Sequence, residues 1–337
     1  MKELKLLVIG DFHYKKMMYP PTVANLSSVL TGGADGEIII HTGDFCNDYS
    51  HSPELFERLF ADGREVYGVY GNHELETEGN TMRIVTPLLT NSADKAVFGT
   101  EDGKMGDGDI AYYFVDRDGF RIIFLDTNYS QNSDGEWVHN LPASWGAPSG
   151  NTNCHSLGEV QLAWLTKVID DAGERGLRCI TVSHNALNSD INKEALDSDA
   201  VGDIFRRANE KRSGTVVLAV SGHFHTVGRY ERDGVTYLDC PATINGWWQS
   251  KKFFPYAEES ADEPRFTFPF ESYDPDGKLI EIRSVPYSAL RMGAQSLFYA
   301  EPVYTSVTVR ESGEVESFVS PIAWAYGISP ESSGAGM

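Results

Sequence analysis

Five short runs of β-branched and apolar residues in this chain each end in a compact polar motif. Short apolar runs bounded by glycine and polar residues are typical of buried strands. The chain is therefore predicted to form sheets whose strand ends deliver carboxylates, amides and imidazoles to a common edge. The motifs hold five of the nine histidines, and in chain order they are Gly10-Asp11-Phe12-His13, Gly43-Asp44, Gly71-Asn72-His73-Glu74, Ser183-His184-Asn185 and Gly222-His223-Phe224-His225.

The order of the predicted elements indicates an α/β fold. Helices are predicted at 21–30 and 53–63, at 201–212, and after the capping box Ser156-Leu157-Gly158-Glu159. The early strand–helix alternation predicts right-handed crossovers and a largely parallel sheet. We expect one domain over residues 1–325, followed by a flexible tail at 326–337. The predicted strands are residues 4–9, 37–41, 65–70, 110–115, 120–125, 179–183, 215–220, 228–232, 235–239, 279–285, 303–310 and 315–319.

The composition and charge of the chain limit the kinds of molecule that we expect it to bind. The formal net charge is −21, from 49 acidic and 28 basic residues, which argues against binding of long nucleic acids because these are held by Lys and Arg at phosphates. A small phosphorylated substrate is compatible with this negative charge, because bound metal ions would make the site locally positive. The four cysteines are scattered, no apolar stretch is long enough to span a membrane, and no signal peptide is recognised. We expect a cytoplasmic enzyme without membrane contact.

The motif residues are suited to metal ions. Asp11 and His13 are two positions apart, so both side chains reach one ion if strand geometry persists beyond the strand. Asp44 ends an adjacent strand, where its two carboxylate oxygens can bridge two ions. Such a pair of ions would clamp the oxygens of an in-line displacement and lower the pKa of a shared water. Mixed oxygen and nitrogen ligands suit Mn, Fe, Zn or Ni, and the further candidates are Asn72, His184, His223 and His225.

The series GDFH, GD, GNHE, SHN and GHFH resembles the calcineurin-like metallophosphoesterase superfamily, over the chain from Asp11 to His225. Five motifs in this order, each after a predicted strand, are a specific signal. The resemblance implies a four-layer αββα sandwich, in which helices flank two mixed β-sheets. It also implies two divalent transition-metal ions and the hydrolysis of a phosphomonoester or phosphodiester by a metal-bridging hydroxide.

The resemblance assigns roles to individual residues. Asp44 would bridge the ions, and His73 would be no ligand but would stabilise the phosphate and protonate the leaving oxygen. Glu74 would orient His73 from behind, and Asp48 is a weaker candidate for such a supporting contact. The remaining implied ligands are Asp11, His13 and His225 for the first ion and Asn72, His184 and His223 for the second.

Two departures from family patterns narrow the expected chemistry. His13 occupies the position at which the purple acid branch lacks a histidine, and Tyr14 follows it, so we expect no charge-transfer metal site. After Asp44 the chain reads Phe45-Cys46-Asn47-Asp48, without the arginines of protein Ser/Thr phosphatases. This sequence argues against a dedicated protein phosphatase.

Several alternatives stay open at this stage. A non-catalytic metal-binding scaffold would use the same fold for protein interaction, and a metal enzyme of different chemistry is not dismissed by fold alone. The loops at 127–155 and 245–276 are candidates for the substrate pocket. For the aromatic residues of 247–256 we favour packing over stacking on substrate. We favour ordinary structural or surface roles for His41, His139 and His155, and for the candidate phosphate clamps Arg83 and Arg229.

Overall fold

The computed structural model describes the greater part of the chain. The expectations for Tyr14, Asp48, Arg83 and the tail at 326–337 lie outside the described residues, as do most of 127–155 and 245–276. The described residues are 2–13, 26–27, 29–30, 36–45, 53–75, 88–105, 110–131, 134–139, 155–187, 197–225, 227–247, 267–273, 279–286, 296–299 and 301–322.

Most strands lie where apolar runs predict them. Three α-helices are described, α1 (Pro53–Ala61), α2 (Gly158–Glu174) and α3 (Ser198–Lys211), together with 3₁₀ turns at His73–Leu75 and Ala93–Lys95. The strands are β1 (Glu3–Ile9), β2 (Ile38–His41), β3 (Glu65–Gly68), β4 (Val97–Phe98), β5 (Tyr113–Arg117), β6 (Phe120–Leu125), β7 (Tyr129–Gln131), β8 (Trp137–His139), β9 (Arg178–Ser183), β10 (Val216–Ser221), β11 (Gly228–Arg232), β12 (Val235–Asp239), β13 (Asn245–Trp247), β14 (Thr267–Tyr273), β15 (Leu279–Pro286), β16 (Ser296–Phe298), β17 (Thr305–Arg310) and β18 (Val315–Val319).

Two mixed sheets form the framework. The first has five strands in the order β18–β17–β1–β2–β3, and the second has seven in the order β11–β12–β10–β9–β6–β5–β4. Strands β1, β2 and β3 run parallel, and so do β6, β9, β10 and β12. The pairs β13–β16, β14–β15 and β7–β8 form two-stranded ribbons. This arrangement confirms the prediction of two mixed β-sheets.

The two sheets pack face to face between helices. The ring of Tyr67 on β3 lies 5.7 Å from that of Phe124 on β6, and the Tyr113 hydroxyl donates to the Gly68 carbonyl at 2.9 Å. On the outer side of the second sheet, Ile123 and Leu125 share an apolar cluster with residues of α2 and α3. Phe56 of α1 packs on His41 at the outer side of the first sheet. The fold is therefore the predicted four-layer αββα sandwich.

Two local predictions were wrong. The strand predicted at 110–115 extends to Arg117, so the β5–β6 hairpin turns through Asp118 and Gly119 alone, with φ of 51° and 100°. The capping box at Ser156 is also absent, since the Ser156 hydroxyl has no hydrogen-bond partner among the described residues and Leu157 is the Ncap residue of α2. Instead the Asp197 carboxylate accepts hydrogen bonds from the Leu157 and Gly158 amides at 2.8 and 3.1 Å. Capping from a distant residue leaves no local signal.

The sandwich gathers strand ends from both sheets at one edge. The carboxyl ends of β1 and β2 belong to the first sheet, and those of β9 and β10 to the second. The Thr243 amide donates to the Gly10 carbonyl at 2.9 Å, which ties the chain after β12 to the end of β1. Among the described residues, no helix is long and apolar enough to cross a membrane.

Candidate metal centre

All the described candidate ligands lie at this shared edge. Three overlapping groups of side chains have donor atoms within 4.8 Å of one another: a first group of Asp11, His13 and His225, a second group of Asp44, His184 and His223, and a third group of His13, Asp44 and His73. Asn72 joins the second group through its Oδ1, which lies 3.2 Å from His184 Nε2. The fold therefore brings together every predicted ligand, and it places His73 beside them.

The donor atoms of the first group suit a cation. His13 Nε2 lies 3.0 Å from His225 Nε2, and His225 Nε2 lies 3.4 Å from Asp11 Oδ1. Asp11 Oδ1 is buried and has no hydrogen-bond partner among the described residues. A buried carboxylate oxygen without a partner calls for an explanation. Imidazole nitrogens and an unpartnered carboxylate oxygen directed at one point form a donor set that suits a divalent transition metal.

The second group is oriented by the main chain of the neighbouring sheet. His184 Nδ1 donates to the Thr42 carbonyl at 2.7 Å, because a carbonyl oxygen can only accept. That bond directs His184 Nε2 toward Asp44 Oδ2 at 3.3 Å. His223 Nδ1 lies 3.1 Å from the same His184 nitrogen. A backbone carbonyl behind a ligating histidine is a common way of fixing its orientation, although the motifs do not reveal this contact.

Asp11 and His13 were expected to continue the strand geometry of β1. The structure corrects this expectation, because the ligand residues do not have the backbone angles of a strand. β1 ends at Ile9, and both residues then adopt the left-handed backbone region, with φ of 51° and 47°. His223 and His225 repeat this pattern, with φ of 72° and 53°, and Asp44 has φ of 49°. Residues other than glycine seldom adopt this region, and it is found at functional sites. Among the described residues, the other such non-glycine positions are Asp118 and Asp233, both in hairpin turns.

Hydrogen bonds between different motifs stabilise these backbone conformations. The amides of Asp11 and His13 donate to the carbonyls of Gly43 and Asp44, each at 2.9 Å. The His223 amide donates to Asp11 Oδ2 at 3.3 Å. Each ligand segment is thus aligned by a segment from another strand, so the donors are preorganised before any ion binds.

His73 and Glu74 occupy the turn that follows β3. The His73 amide donates to Asp44 Oδ1 at 2.9 Å, its ring nitrogen Nε2 lies 3.7 Å from Asp44 Oδ2, and its ring meets that of His13 edge-on at 4.8 Å. Glu74 Oε2 accepts from the amides of Asp44 and Gly71 at 2.9 and 2.5 Å. Glu74 therefore ties two motifs together, and its expected effect on the orientation of His73 stays a prediction.

Electrostatics leaves most of these donors in the form that binds a cation, with His184 as the exception. Burial, reinforced by neighbouring histidines, lowers the pKa of His13 and of His223 well below the ordinary value, so both rings are neutral near pH 7. Burial opposes ionisation of Asp44, but His184 and His73 outweigh it and hold the pKa of that carboxyl well below its usual range. Burial likewise lowers the pKa of His184, yet the Asp44 carboxylate prevails and raises it to about 9. Neutral imidazoles and ionised carboxylates are the forms that bind metal.

The remaining candidates take other positions. His41 is buried, with its ring 5.5 Å from that of Phe45, as expected for a packing residue. Arg229 is no phosphate clamp in this structure, because its guanidinium bonds to the Val315 carbonyl and to Ser317 on β18. His155 lies with its ring centroid 5.3 Å from that of His223.

Comparison with solved structures gives distant relatives. A dimetal phosphatase from Danio rerio is 19% identical, with 71% of this chain and 87% of that protein covered and a TM-score of 0.52. A phosphopantetheinyl hydrolase from Mycobacterium tuberculosis is 17% identical over 70% of this chain and 88% of that one, with a TM-score of 0.38. A putative 5'-nucleotidase from Staphylococcus aureus is 15% identical over 85% and 54%, with a TM-score of 0.43. The first of these supports the fold.

Sequence comparison identifies the family. No curated protein sequence matches the chain significantly. The sequence model of the calcineurin-like phosphoesterases matches residues 4–227, which is more than half of the chain and includes every candidate ligand. This match and the donor groups support metal-dependent phosphoester hydrolysis, and the chain belongs to the calcineurin-like phosphoesterase family.

Proposed function

We propose that the protein hydrolyses phosphate esters of small molecules with the help of two divalent transition-metal ions. The observation that carries this proposal is the overlap of the donor groups. One group is built on Asp11 and His225, the other on His184 and His223, and Asp44 lies between them in a third group shared with His13. Two sets of donors joined by one carboxylate fit two neighbouring ions better than one.

The residues present would hold the ions in the way that the motifs imply. Asp11, His13 and His225 would hold the first ion, Asn72, His184 and His223 the second, and Asp44 would contact both. When bound, two such ions neutralise charge on the phosphoryl group and lower the pKa of a water molecule. The donors themselves are mixed oxygen and nitrogen, which fits Mn, Fe, Zn or Ni.

His73 is suited to proton transfer. Its main chain is fixed on Asp44 while its ring lies beside His13, so the imidazole stands next to the assigned ligands. A general acid has to lie within hydrogen-bond reach of the leaving oxygen. We assign His73 the protonation of that oxygen and the stabilisation of charge on the phosphate.

The charge of the molecule favours a small substrate. The net charge is −21, and several described arginines are engaged by carboxylates: Arg121 by Asp116, and Arg206 by Glu210. A surface of this kind attracts no long polyanion. A nucleotide, sugar phosphate or diphosphate reaches the metal centre without needing a basic surface around it.

A metal-by-substrate screen tests the proposal. Protein loaded with Mn, Fe, Ni or Zn is assayed with p-nitrophenyl phosphate and bis(p-nitrophenyl) phosphate, and bound metal is counted by elemental analysis. We expect about two ions per chain and hydrolysis of at least one ester. Bound metal with no hydrolysis under any condition would favour the non-catalytic scaffold instead.

Asp44→Asn supplies the sharpest variant for this screen. Asparagine tolerates the left-handed backbone of residue 44, so the fold is retained while one charged oxygen is lost. We expect metal content to fall and activity to drop by at least about a hundredfold, since even outer contacts of metal ligands contribute 10–100-fold. Asp118→Asn is the matched control, because Asp118 has a similar φ of 51° in an exposed turn and should behave like wild type. Full metal content with normal turnover in Asp44→Asn would refute the shared role.

A further inference from the structure

His155 stands at the edge of the donor groups without belonging to them. Its ring centroid lies 5.3 Å from that of His223, with the planes inclined by 56°. It is half-buried, whereas His13 and His184 are buried. None of the three donor groups includes it. The ring therefore adjoins the second group and is partly exposed.

A polar atom of this ring is left without a partner by the protein. His155 Nδ1 is buried and makes no hydrogen bond within the described part of the chain. Buried polar atoms in native proteins are nearly always satisfied, and an exception points to a water, ion or ligand. Nδ1 is a donor in the imidazolium and in the neutral tautomer that carries its proton on Nδ1, and in those forms the missing partner is an acceptor.

The backbone around His155 is fixed, so the ring is positioned rather than loosely placed. Ser156 and Tyr129 exchange two main-chain hydrogen bonds, at 3.1 and 3.2 Å. The next two amides, of Leu157 and Gly158, donate to the Asp197 carboxylate. Side chains that act on a substrate are effective when such contacts restrict them.

Two histidines outside the assigned ligand set pack on different groups of donors. His73 packs on His13 of the first group, and His155 packs on His223 of the second. A phosphoryl group between the two sets of donors presents acceptor oxygens in both directions. His73 is assigned to the leaving oxygen, which leaves the oxygens near His223 for another donor.

We propose that His155 is a substrate-contacting residue that donates a hydrogen bond to a non-bridging oxygen of the bound phosphoryl group on the His223 side. This inference rests on the proposed function, and it adds a contact that lies outside the five sequence motifs. It predicts that His155 contributes to the binding of phosphate while the metal ions stay in place.

Inorganic phosphate is the probe, with its dissociation constant measured by calorimetry on the metal-loaded protein. His155→Phe keeps a ring but removes the donor, and we expect phosphate affinity to fall about tenfold or more, as for a hydrogen bond to a charged group. His155→Gln restores an N–H donor and should recover part of the loss. Ser156→Ala is the matched control, because its buried hydroxyl has no partner among the described residues and its main-chain pairing is retained.

Metal content and thermal unfolding of each variant accompany the binding measurement. Unchanged phosphate affinity in His155→Phe would overturn the proposal, and so would loss of one metal ion, which would make His155 a ligand. If His155→Phe does not fold, His155→Asn gives the same comparison with a side chain too short to reach. Wild-type protein that loads metal but neither binds phosphate nor hydrolyses any ester would refute the proposed function itself. Binding by wild type with no effect of the variants would refute only the role of His155.

Discussion

At the scale of single residues, several candidate ligands are positioned by a contact with a segment that follows a different strand. Asp11 is bonded to Gly43, His13 to Asp44, and His184 to Thr42. These bonds hold the donors together although five of the ligands have a backbone that is unfavourable for residues other than glycine. The rest of the fold compensates for the conformational energy of that backbone, so the donors stay in position for the ions.

His73→Asn separates proton transfer from metal binding. The side chain of His73 is assigned to the leaving oxygen, whereas its amide bond to Asp44 Oδ1 survives the substitution. We expect metal content to be unchanged and kcat to fall by about 10²–10⁴, the usual contribution of a general acid. Activated esters with good leaving groups should lose less than alkyl esters. Loss of metal in this variant would instead make His73 a ligand.

Metal affinity should increase with pH because of His184. The adjacent Asp44 raises the pKa of His184 to about 9 in the metal-free protein, so the ring holds a proton at neutral pH that an ion must displace. His13 and His223 have lowered pKa values and release no proton above pH 7. We expect the affinity for Zn²⁺ to rise about tenfold per pH unit between pH 7 and 9, as for one displaced proton, and then to level off. A chelator competition series measures this, and a flat profile would contradict it.

At the scale of elements, the start of α2 depends on a residue from another part of the chain. Asp197 precedes α3, and its carboxylate receives the amides of Leu157 and Gly158. The same contact fixes the segment after His155. Because helix starts leave amides without partners, an acceptor there stabilises the helix wherever it comes from.

Asp197→Ala should therefore destabilise the protein. Two buried amides lose their acceptor, and we expect the free energy of unfolding to fall by about 2 kcal/mol. Asp197→Asn keeps a side-chain oxygen and is the control, with most of the stability retained. Chemical denaturation followed by circular dichroism measures both. Equal losses in the two variants would show that the oxygen is not what stabilises this helix start.

The elements also show how far the sequence predicts the structure. The bounds of β11, β12 and β18 agree with prediction, because apolar alternation and turn residues such as Asp233-Gly234 are local signals. The position of each motif after a predicted strand indicates that the donor side chains meet, whereas their individual roles rest on the family resemblance. The left-handed backbone of Asp11 and the cap from Asp197 have no such signal, since both depend on contacts between segments far apart in the chain. Periodicity carries no information about such contacts.

At the scale of the whole molecule, the region beyond the family match completes the first sheet. The match ends at residue 227, yet β17 pairs antiparallel with β1 along six residue pairs, from Glu3 with Arg310 to Val8 with Thr305. β1 is thus an interior strand, with β17 on one side and β2 on the other. The strand that leads to Asp11 and His13 is supported by the C-terminal part of the chain.

Val309→Ala tests whether this late strand supports the metal centre. Val309 is fully buried and pairs with Leu4, so we expect a loss of about 2 kcal/mol in unfolding free energy. Phe318→Ala on β18 is the control, because Phe318 is 58% exposed and its removal should change stability by no more than about 0.5 kcal/mol. If the centre depends on this sheet, metal loss on heating should shift with unfolding in Val309→Ala. An unchanged midpoint would contradict that dependence.

The placement of β17 beside β1 has a consequence for biosynthesis. The first ligands, Asp11 and His13, are translated long before β17, the strand that pairs with β1. Until then one edge of β1 has no partner from its own chain, and an open strand edge invites pairing with other chains. Acquisition of metal ions is therefore expected to follow the translation of β17, and a product that ends before β17 would carry the ligands without the strand that supports them.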